Sequence, residues 1–205
     1  MTDHTVTSIA ELEAIYGLPS GAAVVKEIDH VIPEYRAFVD ASPFFVLASN
    51  GPEGVDCSPR GDEPGFVRVA DERTLMIPDR RGNNRIDSLR NIVRDPRVSL
   101  LFLVPGVGET LRVIGRARIS TDPALAESFV FAGKTPRAVI VVAVESVYFQ
   151  CPKALVRSKL WDASRQVERN RLPSAGAILA AITKGEVSGE EYDRAYPERL
   201  KATIY

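Results

Sequence analysis

The run Ile77-Pro-Asp-Arg-Arg-Gly-Asn-Asn-Arg-Ile-Asp-Ser-Leu-Arg90 decides how this chain reads. Before it lies an apolar stretch, Thr74 to Ile77, with the character of a strand. Pro78 ends that strand, because proline has no N–H to give to a sheet ladder. Beyond it Ile86, Leu89, Ile92 and Val93 recur at helical spacing. A strand ends, a polar turn carrying Arg80, Arg81, Gly82, Asn83, Asn84 and Arg85 intervenes, and a helix begins. A turn rich in N–H donors that opens on a helix N-terminus suits an anionic group such as a phosphate.

Working outward, Phe44-Phe-Val-Leu-Ala-Ser49 is a buried-strand run, and Asn50-Gly51 after it is a strong hairpin signal. Val55 to Arg60 returns beside it, and Phe66 to Val69 alternates. On the other side Asp95-Pro96 ends the helix. Val98 to Val104 is a further strand. Thr110 to Ile119 places Leu111, Val113, Gly115, Ala117 and Ile119 on one face and Arg112, Arg116 and Arg118 on the other. A short helix over 122–132 and a long β-branched strand from Arg137 to Phe149 complete the series. Short strands at regular spacing with one inserted helix predict a mainly β small barrel with helical flanks. No GxGxxG follows a strand, which argues against a dinucleotide-binding parallel sheet.

The flanks read as helices. Ser8 with Glu11 forms a capping-box pattern and Gly17 a stop, a second helix is expected over 21–28, and a third after Pro33. Ser174 to Ile182 is an apolar helix, and Gly189 to about Lys201 a charged one interrupted at Pro197. The expected division is a helical lead over 1–40, the barrel over 41–164, and a helical tail over 165–205 packed on the barrel.

Composition narrows the function. A hydrophobic content of 45% in 205 residues supplies a sizeable core. A net charge of -1 gives no general electrostatic case for nucleic acid or an anionic membrane. No apolar stretch is long enough to span a bilayer, and Met-Thr-Asp-His at the start lacks the pattern of a signal peptide. Only His4 and His30 are present, and neither Cys57 nor Cys151 sits in a CxxC pair, so no metal site is expected. A reduced cytoplasmic setting is the default, with both cysteines as small apolar fillers.

Three polar clusters fall at strand ends. In Ser58-Pro-Arg-Gly61, Arg60 offers a fixed fork of donors suited to phosphate, or else a solvated hairpin charge. In the opening stretch, Arg80, Arg81 and Arg85 can reach one anion, Asn83 and Asn84 add amide donors, and Gly82 lets the backbone come close. Three arginines at a helix N-terminus repel its partial positive charge, and an anion relieves this. Without a ligand the run reads as a solvated cap with Asn84 at the N-cap. The third cluster, Lys153 to Trp161, includes Lys159 and ends on the single Trp161, which serves either as a core anchor or as an aromatic wall for a planar ligand. Arg112, near the start of its strand, is the best placed of its row for ligand contact. No catalytic acid or base is assigned.

These segments resemble the pyridoxamine 5'-phosphate oxidase-like superfamily of FMN-binding split barrels. The resemblance runs over about residues 40–162. It is carried by Val55-Asp-Cys-Ser-Pro-Arg-Gly-Asp62, by Leu75 to Arg85 with Ser88-Leu89, by Asn91 to Val98, by Leu111 to Ile119, and by Cys151-Pro-Lys153 with Arg157-Ser158 and Leu160-Trp161. The fuller set is similar to an uncharacterised bacterial FMN-binding subgroup. The resemblance implies a six-stranded split β-barrel of Greek-key type and a homodimer with FMN at the interface. It further implies that Arg60 and the turn through Arg85 hold the phosphate and ribityl chain, that Ser58 and Pro59 line the isoalloxazine edge, and that Arg112 and the segment near Trp161 complete the site. The Arg-x-Val-Leu-Leu-Lys strand, the Ser-Arg-Lys turn and the C-terminal Arg-x-His signature of authentic pyridoxamine phosphate oxidases are absent here. The expected function is an FMN-dependent oxidoreductase acting on another small molecule. The alternatives are a flavin-binding or sensor protein without turnover, and a split-barrel binder of deazaflavin or haem.

Overall fold

The computed structural model describes residues 4–52 and 54–205. The strands are β1 (Phe44–Gly51), β2 (Gly54–Gly61), β3 (Arg68–Asp71), β4 (Thr74–Pro78), β5 (Arg97–Leu103), β6 (Thr110–Ser120) and β7 (Val139–Gln150). They form one antiparallel sheet in the order β2-β1-β5-β6-β7-β4-β3. The architecture is mainly β with helical flanks, as the patterning predicts. Among the described residues there are seven strands, where the family resemblance implies six. The stretch Phe66 to Val69, read from its alternation, supplies the short edge β3, which pairs with β4 across the Asp71 turn and breaks register between Val69 and Asp71.

Alternation builds the core. Phe45 and Leu47 on β1, Leu100 and Phe102 on β5, and Leu111 and Val113 on β6 have no exposed surface and fall in one apolar cluster. The sheet curls around them. Phe45 stacks on Phe66, just ahead of β3, at 5.8 Å between ring centroids, although β2 and β3 lie at opposite ends of the strand order. The barrel is closed by side chains and left open by the ladder between those two edges. A bulge between Ile114 and Gly115 helps the curl. At Gly115 a Cβ would sit 2.1 Å from the Ala143 carbonyl oxygen, so the strands approach only because no side chain intervenes.

The helices α1 (Ile9–Tyr16), α2 (Ala22–Val25) and α3 (Pro33–Ala41) precede the sheet. The Ser8 hydroxyl accepts from the Glu11 N–H at 3.2 Å, as the capping pattern predicts. Helix α3 buries Tyr35 and Val39 against the core. Helix α4 (Asp87–Arg94) buries Ile92, and its Asn91 amide donates to the Ser49 hydroxyl of β1 at 3.1 Å. Helix α5 (Pro123–Glu127) ends earlier than expected, because Phe129 turns inward to pack on Val139 and Val141. After β7 come α6 (Lys153–Ser158), α7 (Ala175–Ile182) and α8 (Gly189–Thr203).

Helix α8 runs unbroken through Pro197, where an interruption was expected. A mid-helix proline removes one N–H bond, and the helix is pinned against α7 near its start. Asp193 accepts from the Ser174 hydroxyl at 2.5 Å and the Gly176 N–H at 2.9 Å. Tyr205 returns to the barrel, its hydroxyl donating to Asp62 at 3.0 Å and its ring 4.9 Å from that of Phe131. Cys57 and Cys151 are both exposed rather than buried fillers. Cys57 points outward from the edge strand β2, and Cys151 lies just past the end of β7. Among the described residues no helix is long and apolar enough to cross a membrane.

Candidate functional site

The turn from Asp79 to Ile86 sends charged side chains toward the edge strand β2 and the residue that follows it. At one end Arg80 donates from Nε to Asp62 at 2.6 Å. At the other end Arg85 binds Asp87 at 2.7 Å and lies within electrostatic reach of Asp56. Between them Asp79 lies within reach of Arg60 and of Arg137. On β2 the half-buried positions are Asp56, Ser58 and Arg60, and the exposed ones are Val55, Cys57, Pro59 and Gly61. The half-buried set therefore faces inward toward the turn.

Among the described residues two buried side-chain polar atoms lack a partner, Arg60 Nε on β2 and Ser88 Oγ on α4. Ser88, 1% exposed, is the second residue of α4. That helix has no side-chain cap. Asn84 does not cap it. Ile86 stands at the N-cap position with φ 54°, and Asn84 itself has φ 61°. The Asn83 side chain is spent within the turn, accepting from the Arg85 N–H at 3.0 Å. The helix N-terminus thus presents N–H groups without a side-chain cap beside a buried hydroxyl. On β2, which contacts α4, Arg60 carries a guanidinium nitrogen without a partner among the described residues. Each of these groups is of a kind that a phosphate oxygen satisfies. Gly82 has open space where a Cβ would stand, so a ligand can approach the turn backbone.

Three carboxylates here oppose an anion, Asp56 and Asp87 near Arg85 and Asp79 near Arg60. Of these Asp79 is the one whose titration is displaced upward. Burial pushes its carboxyl above the ordinary range, while Arg60 and then Arg137 pull it back down. Nearby charges and burial therefore compete over whether this group is ionised.

The other expected ligands divide between two faces. Arg80 is committed elsewhere. Its side chain is 16% exposed against 1% for Asp62, and it also donates to the Phe129 carbonyl at 2.9 Å. The physical reason is the curl of the sheet, which carries Asp62 to the end of β4. Arg81, Gly82, Asn83, Asn84 and Arg85 are all exposed in the turn. Pro59, Val46, Leu101, Arg112 and Tyr148 form one row across the outer face of the sheet. Pro59 and Arg112 are thus three strand spacings apart, about 14 Å along the sheet, and face away from Ser58 and Arg60. Arg112 donates to the Tyr148 hydroxyl at 3.1 Å and lies over that ring. Trp161 donates from its indole N–H to the Val107 carbonyl at 2.7 Å, and Lys159 is the exposed left-handed C-cap of α6. Val107 lies in the β5–β6 turn, two strands along the sheet from β2.

Sequence reading did not single out Ser88, Asp79 or Asp62 as site residues. Ser88 lies in a quoted motif, and its signal was its place in the first turn of a helix that follows a cationic loop. Asp62 carried no local signal. A cleft of about 340 Å3 opens beside it, lined by Arg36, Asp62, Phe66, Arg68, Arg80 and Phe131 among others. Its arginines are already occupied, Arg36 by Asp40, Arg68 by Ser128 and Arg80 by Asp62.

A curled antiparallel sheet, open between two edges and carrying a donor-rich turn across the opening, defines a split barrel. The family model of pyridoxamine 5'-phosphate oxidase matches residues 31–151, and the chain belongs to that family. Solved structures of similar fold include HupZ of Group A Streptococcus, with 18% identity over 57% of this chain and 91% of that one and a TM-score of 0.47. General Stress Protein 26 of Bacillus anthracis shares 16% identity over 56% and 88%, with a TM-score of 0.42. An F420 reductase shares 17% over 58% and 98%, with a TM-score of 0.41. No curated protein matches the chain.

Proposed function

We propose that this protein is an FMN-binding flavoprotein, an oxidoreductase acting on a small molecule other than pyridoxamine phosphate. One observation carries the reading. Among the described residues Arg60 Nε on the inward face of β2 and Ser88 Oγ in the uncapped first turn of α4 are buried without partners. Buried donors are seldom left unmade, because each costs about 1–3 kcal/mol. A cofactor phosphate gives both of them an acceptor, and family membership makes a flavin phosphate the natural candidate.

Arg60, Ser88 and the free N–H groups at the start of α4 would hold the phosphate, with Arg81 and Arg85 closing over it from the turn. Ser58, inward on the same strand as Arg60, would stand next along the cofactor. Bound FMN supplies hydride or single-electron chemistry of its own. The protein's part is to fix the phosphate, orient the ring and exclude water. Pro59 and Arg112 face away from Arg60 on their own sheet, and Lys159 and Trp161 lie on the segment after β7. In a homodimer with the cofactor at the interface they would serve the partner's site.

The absorption spectrum of the purified protein tests this. Flavin bands near the usual two maxima, and a thermal midpoint raised by added FMN, are the expected result. A colourless protein whose unfolding is unmoved by excess FMN would sink the proposal, and a Soret or deazaflavin band would replace it. Reduction of bound FMN by NADH or NADPH separates an oxidoreductase from a flavin carrier.

A further inference from the structure

The chain exposes more surface than a compact monomer of its size. Its accessible area is 13742 Å2 for 22.4 kDa. Folded monomers of that mass expose about 9,400 Å2, so the excess is about 4,300 Å2. Large obligate dimers bury roughly 1,000–2,500 Å2 on each partner, and the excess covers that comfortably.

Part of this surface is apolar and helical. Helix α1 buries none of its residues, and Ile9 and Tyr16 are 69% and 80% exposed, with Leu12 and Ile15 beside them. An eight-residue helix is not stable in water without packing. From α6 to the start of α7 the chain is equally uncovered, with Val156 66% exposed and Leu160, Val167 and Leu172 all open. The two segments are opposite in charge. Residues 4–25 carry Glu11 and Glu13 and no Lys or Arg. Residues 153–171 carry Lys153, Arg157, Lys159, Arg165, Arg169 and Arg171 against Asp162 and Glu168. Both segments lie wholly or largely beyond the family-matched body of 31–151.

We infer that α1 of one copy packs on the 153–172 segment of a second copy, reciprocally, as a clasp on the dimer. The inference rests on the two-subunit reading above and names what that reading leaves open. An apolar, acidic helix and an apolar, basic strap on the same chain satisfy each other twice in an isologous pair. Opposite charge sets the register, and apolar burial supplies the affinity. The clasp places the strap that holds Lys159 and Trp161 at the contact between copies.

Light scattering on the full chain tests it. The wild type is expected at twice its chain mass. Ile9→Glu with Leu12→Glu, and separately Val156→Glu with Leu160→Glu, should each weaken the dimer at least about tenfold. Both variants should keep the cooperative unfolding and β signal of the barrel, losing at most the short α1 from the far-UV circular dichroism, since all four side chains are on the surface of the single chain. An equimolar mixture of the two variants regains one intact clasp and should dimerise better than either alone. Rising salt should weaken the wild-type dimer, a readout that needs no variant. A monomeric wild type would remove the two-subunit reading itself. A dimeric wild type with both variants unaffected, or a mixture no better than its components, would overturn the clasp and leave the dimer standing.

Discussion

Arg80 and Arg60 invite comparison, because both are arginines beside the same gap in the barrel and both read from sequence as phosphate ligands. Arg80 has its anion already. Asp62, the Phe129 carbonyl and the Phe131 ring surround it. Among the described residues Arg60 bonds its neighbouring Pro59 carbonyl at 3.0 Å and leaves Nε buried without a partner. The difference teaches that positive charge near an opening is not by itself the mark of an anion site. An unspent buried donor is the better guide, and it makes Arg60 and Ser88 the proposed phosphate ligands ahead of Arg80.

The largest expected effect tests the Arg80 side. Asp62→Ala leaves a mostly buried guanidinium without its counter-ion, so stability should fall by about 3–5 kcal/mol, read from urea unfolding. If Arg80 is structural, FMN affinity per folded molecule should stay within twofold. Loss of affinity without loss of stability would reverse the roles of the two arginines.

Arg60→Ala should do the opposite. FMN affinity is expected to drop by about 1.5–3 kcal/mol, the worth of a hydrogen bond to a charged group, while the ligand-free protein is no less stable. A fluorescence titration beside a thermal melt reads both. Arg85→Ala should come next, at about 1.4 kcal/mol or tenfold. That arginine is 75% exposed, and it must leave Asp87 to reach a ligand. Unchanged affinity would remove Arg85 from the site.

The smallest effect sharpens the Arg60 side. Burial raises the Asp79 carboxyl above its unfolded value. A carboxyl of that kind favours the folded state below its unfolded pKa and loses that contribution as pH rises through the folded one. Asp79→Asn should therefore flatten the stability profile just above the ordinary carboxylate range and stabilise the protein slightly at pH 7. It should also tighten FMN binding there, by removing a negative charge that interacts with Arg60. Weaker binding in this variant would mean that the carboxylate itself holds the cofactor.

The barrel was legible because its strands alternate so plainly. Leu111, Val113 and Ala117 went inward and Arg116 and Arg118 outward, as period-two patterning requires. The strand–turn–helix order around Pro78 was equally plain. What escaped were properties set by the curl of the sheet. Asp62 lies 18 residues before Arg80 in sequence, and only the closing of the barrel makes them neighbours. The start of α4 also escaped, because Ile86 adopts a left-handed backbone that a β-branched residue rarely takes, and no local rule anticipates it. The exposure of Cys57 follows from β2 being an edge strand, a fact of topology rather than of composition.

At Gly115 a missing carbon lets β6 and β7 close to within contact of the Ala143 carbonyl. A methyl group there would meet backbone rather than a flexible side chain, so this glycine sets how tightly the two longest strands of the sheet can be drawn together, and Gly115→Ala is expected to lower the melting temperature of the barrel.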